Sequence, residues 1–148
     1  MSDPLIKNLR LKCSLEHAFE TFVDKIDLWW PPSHRKFPIS ELSIERFKGG
    51  DFLEVSDSGQ VHKMGEVIHC EPPLTLEYTW YPGSSTEPTL VKITFLEDQE
   101  ETVIRVEHVE GDSQLGDQWP KRAIIFSERW DDVLTAVHAG LGKLAQND

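Results

Sequence analysis

Residues 14–32 read SLEHAFETFVDKIDLWWPP. Leu15, Ala18, Phe19, Phe22, Val23 and Ile26 recur at the i, i+3, i+4, i+7 spacing of one helix face, and Ser14 supplies a side-chain oxygen to cap the first turn. Trp29 and Trp30 stand at the end of this stretch and run into Pro31 and Pro32, which cannot continue a helix. Burying an aromatic side chain of this size removes roughly 150 to 250 Å² from water. Two indoles placed before a double helix-breaker therefore imply an apolar chamber beside the corner, either filled by side chains or holding a ligand.

On the N-terminal side, Leu9, Leu11 and Cys13 alternate with Asn8, Arg10 and Lys12, the period of a half-buried strand. On the C-terminal side a loop runs through Pro38, and from Glu41 the period becomes that of strands. Leu42, Ile44 and Phe47 lead to Gly49-Gly50, suited to a tight hairpin, and residues 51–55 form the return strand. Asp57-Ser58-Gly59 is the next turn. Residues 61–70 read as a strand with a bulge at Gly65, closed by Pro72-Pro73. Leu74, Leu76, Tyr78 and Trp80 alternate with Thr75, Glu77, Thr79 and Tyr81, and strands over 89–96 and 102–109 flank an acidic loop at 98–101. Trp119-Pro120 opens the last element, with proline in a first-turn position. Ala123, Phe126, Trp130, Val133, Leu134, Val137, Leu141 and Leu144 then form an apolar stripe about six turns long. Such a helix needs a broad apolar surface, and the concave face of the sheet is the one available. The order predicts an α+β fold that grips this helix, an antiparallel meander wrapped around a long C-terminal helix. No repeat or linker divides the chain, so residues 1–148 are expected to form one domain.

The chain has 148 residues, enough to bury about two thirds of the surface its unfolded form exposes. It carries 26 acidic and 15 basic residues, a formal net charge of -11, which repels phosphate backbones and anionic lipid. The neighbouring basic pairs, Arg35-Lys36 and Lys121-Arg122, are too short for a nucleic-acid stripe, so nucleic acid is not an expected partner. No stretch approaches a membrane span, and the start Met-Ser-Asp-Pro reads as a cytoplasmic terminus. Cys13 and Cys70 are isolated, which suits buried thiols in a reducing compartment. His17, His34, His62, His69, His108 and His138 show no metal-ligand spacing, so neither a metal nor another cofactor is expected.

Ala18-Phe19 through Ile26-Asp27, Trp29-Trp30-Pro31, Gly49-Gly50-Asp51-Phe52, Gly65-Glu66-Val67 through Glu71-Pro72-Pro73, Leu76 through Thr79-Trp80, and Glu107-His108 occur in this order over nearly the full chain. This pattern resembles the activators of heat-shock protein 90 ATPase, homologue-1-like, within the SRPBCC or START-like superfamily, and Trp130 and Leu134 also fit. The resemblance implies a helix-grip fold with a cavity between sheet and C-terminal helix, and it implies no single activity. Met64, Cys70 and Val91 depart from the family pattern, which implies a pocket lined differently from those of its relatives.

The residues that would line such a cavity are Trp29, Trp30, Phe52, Tyr78, Trp80, Phe126 and Trp130, each of which is also an ordinary core residue by type. Glu54 shares strand parity with Phe52. In an apolar chamber its carboxyl would have a raised pKa suited to acid–base work, whereas at the sheet rim it would simply be solvated. His108 shares parity with Ile104 and Val106. It reads either as a satisfied core histidine or as a polar anchor paired with Glu54. No serine, cysteine or threonine has the surroundings of a nucleophile. The leading expectation is a non-catalytic carrier or sensor of a small apolar or polar-headed molecule. The alternatives are a co-chaperone stimulating heat-shock protein 90 ATPase, implied by the resemblance alone, and a cyclase or lyase using Glu54 and His108. An exposed Trp130 would instead make the last helix a homodimer surface.

Overall fold

Alternating burial along successive strands generates one seven-stranded antiparallel sheet in the order β1-β7-β6-β5-β4-β3-β2. The computed structural model describes residues 4–80, 88–109 and 119–146. Its elements are β1 (Leu5–Leu11), α1 (Leu15–Val23), α2 (Ile26–Trp29), a 3-10 turn (Pro32–His34), β2 (Ser40–Ile44), β3 (Asp51–Ser56), β4 (Val61–Glu71), β5 (Thr75–Trp80), β6 (Thr89–Asp98), β7 (Glu101–Val109) and α3 (Trp119–Gln146). Strands β2 to β7 form the predicted meander, and β1 closes on the far edge of β7. The sheet curls around α3, the helix-grip arrangement expected from the sequence. Tyr81 and the side chains of Leu141 and Leu144 lie outside the described residues. No helix among the described residues is long and apolar enough to cross a membrane.

Period-2 alternation aims one side of every strand at the same concave surface, and most of these inward-facing positions are apolar. Phe52, Val67, Leu76, Tyr78, Val91, Ile93, Phe95, Ile104 and Val106 are all essentially inaccessible to solvent. From α3 the stripe Phe126, Trp130, Val133, Leu134 and Val137 descends onto this surface. Trp130 is buried, which removes the reason for treating that position as a dimer contact.

The N-terminal helix differs from its expected form. Ser14 accepts a hydrogen bond from the His17 N–H and caps α1 as predicted, but the helix stops at Val23 instead of running to the indoles. The Glu20 carbonyl accepts from both the Asp24 and Lys25 N–H groups at 2.9 and 3.1 Å, a widened turn that re-aims the chain. The four-residue α2 then carries Trp29 and Trp30 onto two different faces. Trp29 donates its indole N–H to the Thr21 carbonyl at 2.7 Å and packs on Phe22. Gly140 of α3 lies so close that a Cβ there would come within 2.7 Å of the Trp29 Cβ.

Three boundaries also moved. β2 ends at Ile44, leaving Phe47 exposed in the connection to Gly49, whose φ of 90° requires glycine. The predicted four-residue acidic loop tightens to a two-residue turn at Gln99 and Glu100, both with positive φ, because the ladder continues to the Asp98–Glu101 pair. Arg10 of β1 bridges to both flanking carboxylates. In β4 the register slips between Phe52 and Leu53 so that Met64 is the extra residue, immediately beside the expected Gly65. Gly65 is required for a second reason, since a Cβ there would sit 1.8 Å from the Thr79 carbonyl oxygen.

Truncating Trp130 to alanine removes the largest buried side chain of the α3 stripe together with its hydrogen bond into the sheet. The expected cost is about 3 to 5 kcal/mol, read as a lowered denaturant midpoint. A midpoint close to that of the unmodified protein would show that α3 is held by something other than this contact.

Candidate functional site

The corner at Pro31 and Pro32 is fixed by one ion pair. Arg35 donates to Asp27 Oδ1 at 2.8 Å, to the Asp27 and Trp30 carbonyls at 2.7 and 3.1 Å, and to the Ser40 carbonyl at 3.1 Å. The same Asp27 Oδ1 accepts from the Leu42 N–H at 2.9 Å, so α2, the proline corner and the start of β2 are tied at one point. This clamp turns Trp30 inward. Its ring lies 5.8 Å from Phe52 and 6.4 Å from Trp80, and its N–H donates to the His34 carbonyl.

Beneath Trp30, between the sheet and α3, a recess of about 60 Å³ remains. On that measure a single water needs roughly 10 to 15 Å³, so the chamber is mostly filled by side chains but not closed. Its walls are Trp30, Tyr78, Trp80, His108, Phe126 and Trp130 from the expected set, together with His34, Arg129 and Val133. The Tyr78 hydroxyl makes no hydrogen bond among the described residues, and burial raises its pKa. His34, Trp80, Phe126 and Arg129 also border a larger groove of about 500 Å³. The recess is thus the inner end of a cleft that opens at the N-terminal half of α3.

Three expected residues, Trp29, Phe52 and Glu54, do not reach the recess. Trp29 borders a shallower depression on the other side of the proline corner. Phe52 is sealed in the core behind Trp30, Tyr78 and Trp80, with ring centroids at 5.8, 5.4 and 6.0 Å.

Glu54 and His108 both face inward, as strand parity predicts, but the fold does not pair them. Glu54 borders the outer groove, whereas His108 borders the recess. The Glu54 carboxylate accepts from the Lys36 and Phe37 N–H groups at 2.9 Å each and from the Ser40 hydroxyl at 2.8 Å. Burial alone would raise its pKa, yet these three hydrogen bonds hold the carboxyl below its ordinary value. The raised pKa expected of a carboxyl in an apolar chamber is therefore reversed, because a backbone loop solvates the charge in place of water. Glu54 is the fastener of residues 36–40.

His108 is stacked on Phe126 with centroids 4.6 Å apart. The Trp130 indole N–H donates to its Nδ1 at 3.1 Å, which makes Nδ1 the acceptor and leaves the proton of the neutral ring on Nε2. Nε2 lies 2.7 Å from the Thr89 hydroxyl, which in turn donates to the Trp80 carbonyl at 3.0 Å. Both ring nitrogens are engaged, so no free lone pair remains for a general base. The satisfied core histidine is the reading that fits. Without a usable pair, the cyclase or lyase alternative loses the residues on which it rested. Among the described residues no three His, Cys, Asp or Glu side chains converge in a way that could hold a metal ion.

The sequence reading missed His34, Arg129 and Val133 in the recess and Arg122 in the groove. The spacing of Arg122, Phe126 and Arg129 around one helix face was the available signal. Contiguous basic runs do not reveal it, because the fold assembles Lys36, Arg122 and Arg129 from segments far apart in the chain.

Burial lowers the His108 pKa from 6.5 to about 4. The unfolded chain therefore takes up this proton first on acidification, so the stability present above about pH 6.5 is lost as the pH falls toward 4. At pH 5 the loss is expected to be on the order of 2 kcal/mol. Urea titrations at pH 7 and pH 5 would measure it, and His108→Gln should be less stable at pH 7 but flatter across this interval. An equal slope in the variant would assign the acid sensitivity to another group.

The same architecture occurs in solved structures of low sequence identity. Protein NE0264 of Nitrosomonas europaea aligns at 14% identity with a TM-score of 0.71, covering 97% of this chain and 96% of that one. Protein MLL2253 of Mesorhizobium loti aligns at 17% identity with a TM-score of 0.66, covering 95% and 98%. A structure described as the anthrahydroquino-gamma-pyrone synthase Txn09 complexed with SUM aligns at 22% identity with a TM-score of 0.61, covering 95% and 97%. No curated protein matches the chain in sequence. Residues 12–141 match the profile of the family described as Activator of Hsp90 ATPase homolog 1-like protein, and the chain belongs to that family.

Proposed function

We propose that the protein binds a small molecule in the cleft between α3 and the concave sheet, as a carrier or sensor and without acid–base chemistry of its own. The observation that carries this reading is an aromatic recess continuous with a groove of about 500 Å³, within the usual size range of roughly 300 to 1,000 Å³ for small-molecule sites. Tyr78 supports it, because it lines the recess and carries a hydroxyl with which a bound molecule can form a hydrogen bond. The bound molecule would insert one end among Trp30, Tyr78, Trp80, Phe126 and Trp130 and leave the rest of its body in the groove. Glu54 and His108 serve this site indirectly, by holding the 36–40 loop and α3 in place. Cys13 and Cys70 are both free thiols, which fits a protein that works in the cytoplasm.

With indoles in the wall, occupancy should be visible in intrinsic fluorescence. A neutral aromatic dye such as 1-aminoanthracene is expected to bind with quenching of tryptophan emission. Val133 borders the recess and is buried, so Val133→Phe should fill it and weaken dye binding by about tenfold or more, against an overpacking cost of roughly 1 to 3 kcal/mol. Dye affinity unchanged in a variant that still melts cooperatively would show that the recess is not the binding site.

A further inference from the structure

We propose that the ligand of this cleft is a small aromatic carboxylate, its acid group held at the mouth by Arg122 and Arg129 and its ring directed into the recess. The inference rests on the ligand-site reading above and assigns the chemical class of the ligand.

The argument begins with charge. The chain has 26 acidic and 15 basic residues, yet the groove is bordered by four basic side chains, Arg35, Lys36, Arg122 and Arg129, and by one acidic side chain, Glu54. A chain of this composition would by chance line a groove with more acid than base. The local sign is reversed where the cleft opens. The one acid is not directed at a ligand either, since both carboxylate oxygens are bonded to the Lys36 and Phe37 N–H groups and to the Ser40 hydroxyl.

The basic groups are not equivalent. The Arg35 guanidinium is spent on Asp27 and on the Trp30 and Ser40 carbonyls, and Lys36 lies 5.8 Å over the Phe37 ring. Arg122 and Arg129 make no hydrogen bond or ion pair among the described residues. They stand two turns apart on α3, about 10 Å along the helix axis, with Phe126 and Ile125 between them at the groove wall. Two long guanidinium arms at that spacing can close on one planar anion, and the fork geometry of arginine favours a carboxylate. Arg129 also borders the recess, so the acid would sit where groove and recess meet.

The remaining walls fix the body of the ligand. Trp80 and Phe126 border both spaces, and Trp30, Tyr78 and Trp130 border the inner one, so flat apolar surface is available on several sides. The recess of about 60 Å³ admits a ring edge or a short substituent rather than a long acyl chain. Tyr78 lines this inner space, and its hydroxyl favours a hydrogen-bonding substituent at that end of the molecule.

The test uses three probes that share one ring, 1-naphthylacetate, its neutral amide and 1-naphthylmethylammonium, titrated by tryptophan fluorescence and calorimetry. The anion is expected to bind about tenfold more tightly than the amide at 50 mM salt and the cation most weakly. The preference should shrink at 500 mM salt, because the mouth is open to solvent. The Arg122→Gln/Arg129→Gln double variant changes exposed or half-exposed positions, and circular dichroism would verify its fold. It should bind anion and amide equally. Equal affinities in the unmodified protein, or a preference that survives in the double variant, would overturn the carboxylate assignment while leaving the cleft a ligand site. Failure of all three probes to bind would overturn the ligand site itself and this inference with it.

Discussion

The hydrogen bond from the Trp130 indole N–H to Nδ1 of His108 fixes how α3 sits on the sheet. An apolar stripe alone tolerates some rotation and sliding of a helix, because hydrophobic contact is non-directional. A single buried donor–acceptor pair does not, since misalignment would leave both groups unsatisfied in a dry interior. His108 is itself oriented by Thr89, which is anchored to the Trp80 carbonyl. The rotation of α3 is therefore referred to the backbone of β5, and Phe126, Arg122 and Arg129 inherit their positions from it.

A second constraint acts from the other end of the cleft. The Arg35–Asp27 clamp sets the proline corner against β2, and the Glu54 carboxylate solvates the loop that follows. Together they hold Trp30 over the sheet and His34 at the edge of the opening. The cleft is thus framed by two polar arrangements, a buried one on the helix side and a partly buried one on the loop side, with aromatic surface between them. Both frames consume residues that by type alone look catalytic. A charged or titratable side chain in an apolar setting is costly unless it is bonded, and here the bonding partners are backbone groups and a tryptophan rather than a substrate.

The family assignment and the structural neighbours fit this picture at the level of the fold. Sequence identities of 14 to 22% with the solved structures described above accompany the same overall architecture, so the fold tolerates extensive exchange of its sequence. Met64 in this chain lies at the bulge beside Gly65 and borders the groove. Differences at such positions alter the wall without disturbing the strand register, which is set by the close approach of Gly65 to Thr79.

The sequence by itself determined the helix-grip fold, because period-2 alternation and the long 3.6-period stripe each leave one apolar face and only the two faces together can bury both. It also identified the inward parity of Phe52, Glu54, Tyr78 and His108, since parity is a local property of an extended chain. It did not determine what those side chains meet. The end of α1 at Val23 depended on a widened turn at Glu20, and the lowered pKa of Glu54 depended on N–H groups of a loop 17 and 18 residues away in sequence. The neutral, fully bonded state of His108 depended on a tryptophan from the last helix. The basic mouth of the cleft likewise exists only once β3, β4, the proline corner and α3 are brought together, because an electrostatic site is defined by distance in space and the sequence records only distance along the chain.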